Sequence, residues 1–427
     1  MNKWKYTTLG KISEIITGPF GSQLHQSDYV EQGIPVVMPQ DIDDRKVNYV
    51  AINYVANKDA IRLERYKTIT NDILYARRGD VEKHAFIGRK DSGALCGTGC
   101  LRVRITTPEV EPEFVSFFLN KKETRKWLVT HAVGTNMPNL NTDILSEVPI
   151  AYPLIGEQRK MVRVLNSLDR KIAINSAIND NLEQQAKLLY DYWFTQFDFP
   201  DESGKPYRSS GGKMVWNEQL KMEIPFSWVC SKMENAIEAV RTGLNPRNNF
   251  KLGNGNIQYI TVKNLCLNGS LDFSGCDTID EQARQIIHRR SDIQIDDILF
   301  ASIAPLGRCY LIQENPTNWD INESVFSIRY NSSVLTAEYL YMNLQSEAFV
   351  KRATACSTGS IFKGIRINSL MDSEIILPPL SVTKEFSKEI KPLFALQKEL
   401  DREAHTLIQL RDWLLPVLMN GQATISD

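Results

Sequence analysis

What this sequence has little of narrows its function before any motif does. No window approaches eighteen uninterrupted apolar residues, and no apolar stretch follows the basic residues of the opening MNKWKYTTLG. Neither a membrane span nor a secretory leader is therefore expected, and the chain reads as cytoplasmic. The seven cysteines (Cys96, Cys100, Cys230, Cys266, Cys276, Cys309, Cys356) are scattered, with no second Cys or His pair at zinc-finger spacing beside Cys96 and Cys100. They read as reduced, mostly buried thiols. The five histidines (His25, His84, His131, His288, His405) form no metal-binding spacing and default to surface or loop positions. A formal net charge of −1 excludes a polycation that coats nucleic acid indiscriminately, so any DNA binding must rest on local charge.

Catalytic hardware is missing as well. There is no phosphate-cradling glycine loop ending in Gly-Lys-Ser/Thr, no dinucleotide-binding glycine fingerprint after a strand and no nucleophile elbow. The Asn-Pro-Pro-aromatic signature of amino-methyltransferases is absent too; Asn245-Pro246-Arg247 and Asn315-Pro316-Thr317 read as turns.

What is present is an internal repeat at an offset of 225 positions. Asp72-Ile73-Leu74-Tyr75-Ala76 returns as Asp297-Ile298-Leu299-Phe300-Ala301, and Thr17-Gly18 as Thr242-Gly243. The register also holds for Arg104 and Arg329, Gly134 and Gly359, Leu145 and Leu370, Pro153 and Pro378, and Met161 and Phe386. Each copy opens with a Trp (Trp4, Trp228), then an amphipathic segment ending in Thr-Gly and β-rich runs such as Ile34 to Met38, Asp72 to Tyr75 and Leu101 to Ile105. A helical stretch follows (Pro112 to Trp127; Ala337 to Arg352), then a glycine loop and a strand closed by prolines. This predicts a compact α+β domain in each copy.

Asp72, Asp80, Glu82 and Lys83 could be pressed into a metal-dependent nuclease site. The second copy has Pro305 and Gly307 where the first has Asp80 and Glu82, so Asp72 and Asp297 read instead as strand starts, and neither a metal nor a catalytic site is expected.

Each copy runs into a long helix. Met161, Leu165, Leu168, Ile172, Asn175, Asn179, Leu182, Ala186, Leu189 and Trp193 alternate at spacings of four and three, as do Phe386, Ile390, Leu393, Gln397, Leu400, Ala404, Leu407, Arg411 and Leu414. A helix of roughly 38 residues reaches about 57 Å, longer than a domain of this size can cover, so the two seams most simply bury each other. Asn175, Asn179, Gln397 and Arg411 are the polar seam members that can set register. Residues 198–225, rich in Pro, Gly, Ser and Lys, read as a connector with no part in a core.

With catalysis set aside, binding remains. Cations cluster within the copies at Arg62, Arg65 and Lys67; at Arg77, Arg78, Lys83, Arg89 and Lys90; at Lys121, Lys122, Arg125 and Lys126; at Arg284, His288, Arg289 and Arg290; and at Lys363 and Arg366. Taken alone, such a cluster is more often a solvated face, but some could neutralise phosphates or fork onto guanine edges. Position in the repeat sharpens the choice: Lys83 corresponds to Arg308, and Gly134-Thr135-Asn136 to Gly359-Ser360-Ile361. The candidate DNA contacts are Ser22, Gln23, His25, Arg77, Arg78, Lys83, His84, Thr135 and Asn136 in the first copy, and Asn245, Arg247, Ser302, Arg308, Ser360, Lys363 and Arg366 in the second.

Along its whole length the chain resembles the specificity subunits of type I restriction-modification systems. The resemblance is sharpest in Phe199-Pro200-Asp201, Gly204-Lys205-Pro206-Tyr207, Gly211-Gly212-Lys213-Met214-Val215-Trp216-Asn217 and Ile224-Pro225-Phe226-Ser227-Trp228, and in the exits Pro153-Leu154-Ile155-Gly156-Glu157-Gln158 and Pro378-Pro379-Leu380. It implies an α+β fold in which two homologous α/β target recognition domains, residues 1–152 and 226–378, are joined by long antiparallel coiled-coil helices, residues 153–197 and 379–419, with a tail at 420–427. Each domain would read one half of a split double-stranded DNA target. The helices would fix the spacer and dock two modification subunits through the seam residues Leu165, Leu168, Ile172, Asn175, Asn179, Leu182, Leu189, Ile390, Leu393, Gln397, Leu400, Leu407 and Leu414. S-adenosylmethionine, ATP and Mg would belong to the modification and restriction subunits, with no cofactor on this chain. The second exit has Val382-Thr383-Lys384-Glu385 where the first has Glu157-Gln158. A stand-alone bipartite DNA-binding regulator and a coiled-coil scaffold are the competing readings.

Overall fold

The computed structural model describes residues 4–134, 138–355 and 364–425. It divides into two compact units, Met1–Ile174 with Glu403–Asp427, and Asn175–Arg402. Each unit holds one copy of the repeat and a stretch of both long helices.

In the first unit an antiparallel sheet runs in the order Ser13–Thr17, Cys100–Ile105, Ile73–Ala76, His84–Phe86. All four residues of Ile73–Ala76 are buried, because the strand's period of two divides them between two cores. Ile73 and Tyr75 pack among Leu9, Val103 and Phe114, while Leu74 and Ala76 pack among Val37, Ile52 and Ala85. The unbroken apolar run is thus the signature of a strand covered on both faces. A second sheet (Leu95–Cys96, Ile34–Val37, Asn53–Val55, Tyr29–Val30) lies to one side, and Lys5–Thr8 pairs with Pro149–Tyr152 to close the copy on itself.

The second unit repeats the plan: Ile237–Thr242, Val325–Tyr330, Ile298–Ala301, Cys309–Leu311. Ile298 and Phe300 join one core, Leu299 and Ala301 another. Val229–Lys232 closes on Glu374–Leu377. The flanking helix differs between the copies. Here it is Glu281–Ser291, started by the Asp280 carboxylate accepting from the Ala283 amide at 2.8 Å, whereas the first copy has only Asn57–Arg62 and a short turn at Glu64–Tyr66.

Each single helical stretch expected before the glycine loop is broken in two: Pro112–Leu119 and Lys122–His131, Ala337–Gln345 and Glu347–Ala355. In the second copy the break sits at Ser346, whose backbone is extended and whose hydroxyl accepts from the Phe349 amide at 3.3 Å.

The long helices are Ile155–Tyr190, continued by a wider turn at Asp191–Thr195, and Leu380–Met419. In the first unit Met161 and Leu165 share a core with Leu415, Leu418 and Met419; Asp169 pairs with Arg411 at 3.2 Å and Lys171 with Glu403, so the contacts run antiparallel. In the second unit Ala186, Tyr190 and Trp193 pack with Phe386, Ile390 and Phe394. There Asn179 donates to Asp401 Oδ1 at 2.6 Å and meets Gln397 at 3.5 Å, so two polar seam members face each other. Leu182 and Asn175 are buried; Leu168, Ile172, Leu189, Leu393, Leu400, Leu407 and Leu414 are half-buried, while Ile174, Leu188, Leu396, Leu410 and Trp413 stay exposed.

Residues 198–225 depart from the expectation of a slack connector. Phe199 and Ile224 join the core of the second unit with Phe197 and Trp228. Phe199 stacks on Tyr207 at 4.7 Å and on Trp228 at 5.0 Å, and a hairpin forms from Met214–Asn217 and Met222–Pro225. Widely spaced aromatics carry this packing, which a Pro- and Gly-rich composition conceals.

Candidate nucleic-acid interface

The sheet register gathers the candidate loops. Thr17 pairs with Leu101 and Ala76 with Cys100, so the segments leaving both strands emerge at the same end of the sheet. A third segment joins them: Leu140 N donates to Arg77 O at 2.8 Å and Gly79 N to Pro138 O at 3.3 Å. The second copy does the same, with Thr242 opposite Phe326, Ala301 opposite Val325, and Ile365 N donating to Ser302 O at 2.8 Å.

The repeated Thr-Gly has a steric cause. A Cβ on Gly18 would lie 2.1 Å from Gly97 O, and one on Gly243 would lie 1.6 Å from Ile321 O. Only glycine lets the chain leave the strand against the neighbouring backbone at this point.

In the first copy Ser22, Gln23 and His25 are exposed, and their loop is braced by Arg62 donating to Gln23 O at 2.6 Å and Tyr66 Oη donating to Gln23 Oε1 at 2.9 Å. Arg78 is exposed and Arg77 half-buried. Lys83 is held by Asp80 at 3.1 Å. In the second copy Arg247 and Arg366 are exposed, and Asn245 and Arg308 half-buried. Thr135, Asn136, Ser360 and Lys363 lie outside the described residues.

Two candidates are corrected. His84 is buried, with Nε2 2.9 Å from Ser116 Oγ, and burial together with the nearby Arg45 and Arg125 pushes its pKa down to about 3. It is a neutral core histidine, not a surface contact. Ser302 is also buried and donates to Ser324 O at 2.7 Å, which pins the loop where it leaves the strand.

Arg45 gave no signal in the sequence. Its guanidinium lies over the Phe117 ring at 3.3 Å and donates to Ser116 Oγ at 3.0 Å and to Asp169 at 2.9 Å; Asp169 also takes Arg411. It fastens the hairpin Ile42–Val47 to the first long helix, a long-range contact that local periodicity cannot encode. Gln158 of the first exit is buried rather than offered to a partner: it donates to Glu109 O and Pro153 O and accepts from the Glu111 amide. Thr383, its counterpart in the repeat, is equally buried and donates to Leu380 O at 3.1 Å.

Among the described residues no group of three or more His, Cys, Asp or Glu could hold a metal ion, and no helix is long and apolar enough to cross a membrane. Asp72 is committed to Arg104 at 2.7 Å, away from Asp80 and Glu82.

One scaffold is built twice, and each copy presents a different set of loops from the same end of its sheet. Residues 1–184 match the family model described as the type I restriction modification DNA specificity domain. The MjaIX specificity subunit of a type I restriction enzyme from Methanocaldococcus jannaschii is 24% identical over 74% of this chain and 70% of its own. The HindI specificity subunit from Haemophilus influenzae is 20% identical over 99% of this chain and 100% of its own. The crystal structure of the type I restriction-modification S subunit from M. genitalium shares the fold, with a TM-score of 0.60 at 15% identity over 98% of this chain and 96% of that one. Residues 1–184 thus carry the match to the specificity domain, and over nearly its whole length the chain is similar to specificity subunits of type I restriction-modification systems.

Proposed function

We propose that each copy reads one half of a bipartite double-stranded DNA target, residues 1–152 one half and 226–378 the other, and that the long helices set the gap between the halves. The observation that supports this best is the shared placement and differing chemistry of the loops: Ser22, Gln23, His25, Arg77, Arg78 and Lys83 in one copy, Asn245, Arg247, Arg308 and Arg366 in the other. Phosphate contacts would position the duplex and base-edge contacts specify it, each good bidentate pair contributing about 1–3 kcal/mol of discrimination.

The chemistry belongs to partners on this reading. Two modification subunits dock along the helices and, with S-adenosylmethionine, methylate a flipped-out adenine; restriction subunits using ATP and Mg cleave DNA. The exposed Ile174, Leu188, Leu396, Leu410 and Trp413 offer apolar area for docking. The test is co-expression with the modification subunit and sequencing of modified adenines in random DNA. A split motif with a fixed gap is expected; an unmodified library, with the chain folded and the partner active, would overturn the reading.

A further inference from the structure

One basic recess lies outside the candidate loops. It has a volume of about 520 Å³ and is lined by Arg241, Arg284, Gln285, His288, Arg289 and Asp292. Its floor is the helix Glu281–Ser291, on which residues 284, 285, 288 and 289 share a face by helical spacing, with Asp292 capping its end. Arg241, one residue before the Thr-Gly exit, faces them from the edge strand Ile237–Thr242. Cations near a helix C-terminus are favoured by its dipole, which accounts for His288 and Arg289, while Arg241 opposite is held by Asp292.

Most cations of the recess already have acidic partners, and one does not. Asp292, its only acid, already takes Arg241 at 2.8 Å and Arg329 at 3.1 Å. Buried Asp320 holds His288 Nδ1 at 3.2 Å and accepts from Ser291 Oγ at 2.6 Å, so the ring is anchored from behind. Arg284 donates to Pro316 O at 3.0 Å and pairs with Glu281 at 3.6 Å, one turn earlier on the same helix. Arg289, exposed, makes no hydrogen bond or ion pair among the described residues. Arg290 Nε donates to Thr242 Oγ1 at 3.2 Å, tying the helix to the loop that carries Asn245 and Arg247.

From this geometry we infer that the recess seats a phosphodiester group of the DNA backbone beside the second half-site, with Arg289 as its principal cation. The inference rests on the DNA-reading function proposed above and adds an asymmetry to it. At the matching positions the first copy has Ile16, Asp59, Ala60, Leu63, Glu64 and Lys67, which cannot form such a recess. The second half-site therefore gains a sequence-independent clamp that the first lacks.

The test measures binding of the chain assembled with its modification subunit to a cognate and a scrambled duplex over a range of salt. Arg289→Ala is expected to lower the slope of log K against log salt by about one on both duplexes and to leave the recognised motif unchanged, while Arg289→Lys restores the slope. An unchanged slope, or a loss confined to one base pair of the cognate site, would overturn the inference. A wild-type complex that binds both duplexes equally would sink the half-site reading yet still allow the slope comparison. One that binds no duplex would sink both.

Discussion

Arg104 and Asp72 form the same bidentate pair as Arg329 and Asp297. In the first copy Nε and Nη2 of Arg104 meet the Asp72 carboxylate at 2.8 and 2.7 Å, and in the second Arg329 meets Asp297 at 2.8 Å through both nitrogens. Each aspartate also accepts the amide three residues before it, Ile69 N at 2.8 Å and Gln294 N at 3.0 Å. The carboxylate that opens the strand thus caps the preceding turn and anchors the neighbouring strand. Removing either arginine leaves a buried carboxylate without its charge partner, so Arg104→Ala or Arg329→Ala should destabilise its own unit by about 2–4 kcal/mol in chemical denaturation. A loss under about 1 kcal/mol would show the pair to be incidental.

His84 gives a pH dependence with a definite sign. Its pKa falls to about 3 in the fold, below the ordinary value of 6.5, so the unfolded chain binds the proton first as pH drops. The contribution is present above pH about 6.5 and is lost on acidification toward pH about 3. Between pH about 7.5 and about 5.5 this loss amounts to about 1.4 kcal/mol, and His84→Gln should remove that part of the pH dependence. Parallel pH profiles for the variant and the parent would contradict the buried, neutral assignment.

Gly18 and Gly243 leave no room for a methyl group. Gly18→Ala and Gly243→Ala should each destabilise their unit by about 1–3 kcal/mol, since the obstacle is backbone and cannot rotate away. Gly79, where a Cβ would meet nothing within 4 Å, has a φ of +83°, so Gly79→Asn should be better tolerated than Gly79→Val. Melting temperatures of the variants check both statements.

The helices carry a prediction about spacing. Deleting residues 172–178 removes one heptad and should shorten the gap in the methylated motif or abolish assembly with the modification subunit. An intact complex that methylates the original motif would end the idea that the helices set the gap.

How much was legible in the sequence follows from the range of each interaction. Strand Ile73–Ala76 and its copy Ile298–Ala301 declare themselves as short unbroken apolar runs and the seam from Met161 to Leu189 by its spacing, and all appear in the fold. Buried His84 does not, because its burial comes from Ser116, Arg45 and Arg125, residues distant in the chain. The aromatic stack of Phe199, Tyr207 and Trp228 is invisible for the opposite reason: it lies in a segment whose composition resembles a linker. The loops could be placed at one end of each sheet only once the register was known, since repeat arithmetic pairs Lys83 with Arg308 without saying where either points.

The most direct test of the account compares the methylated motifs produced by the parent, Arg78→Ala and Arg366→Ala, each assembled with the modification subunit. Both arginines are exposed, one in each copy, so fold and gap should survive. Arg78→Ala is expected to degrade recognition of one half of the motif and Arg366→Ala only the other, with the gap unchanged in both. Loss spread over both halves from either substitution, or a change in the gap, would contradict it.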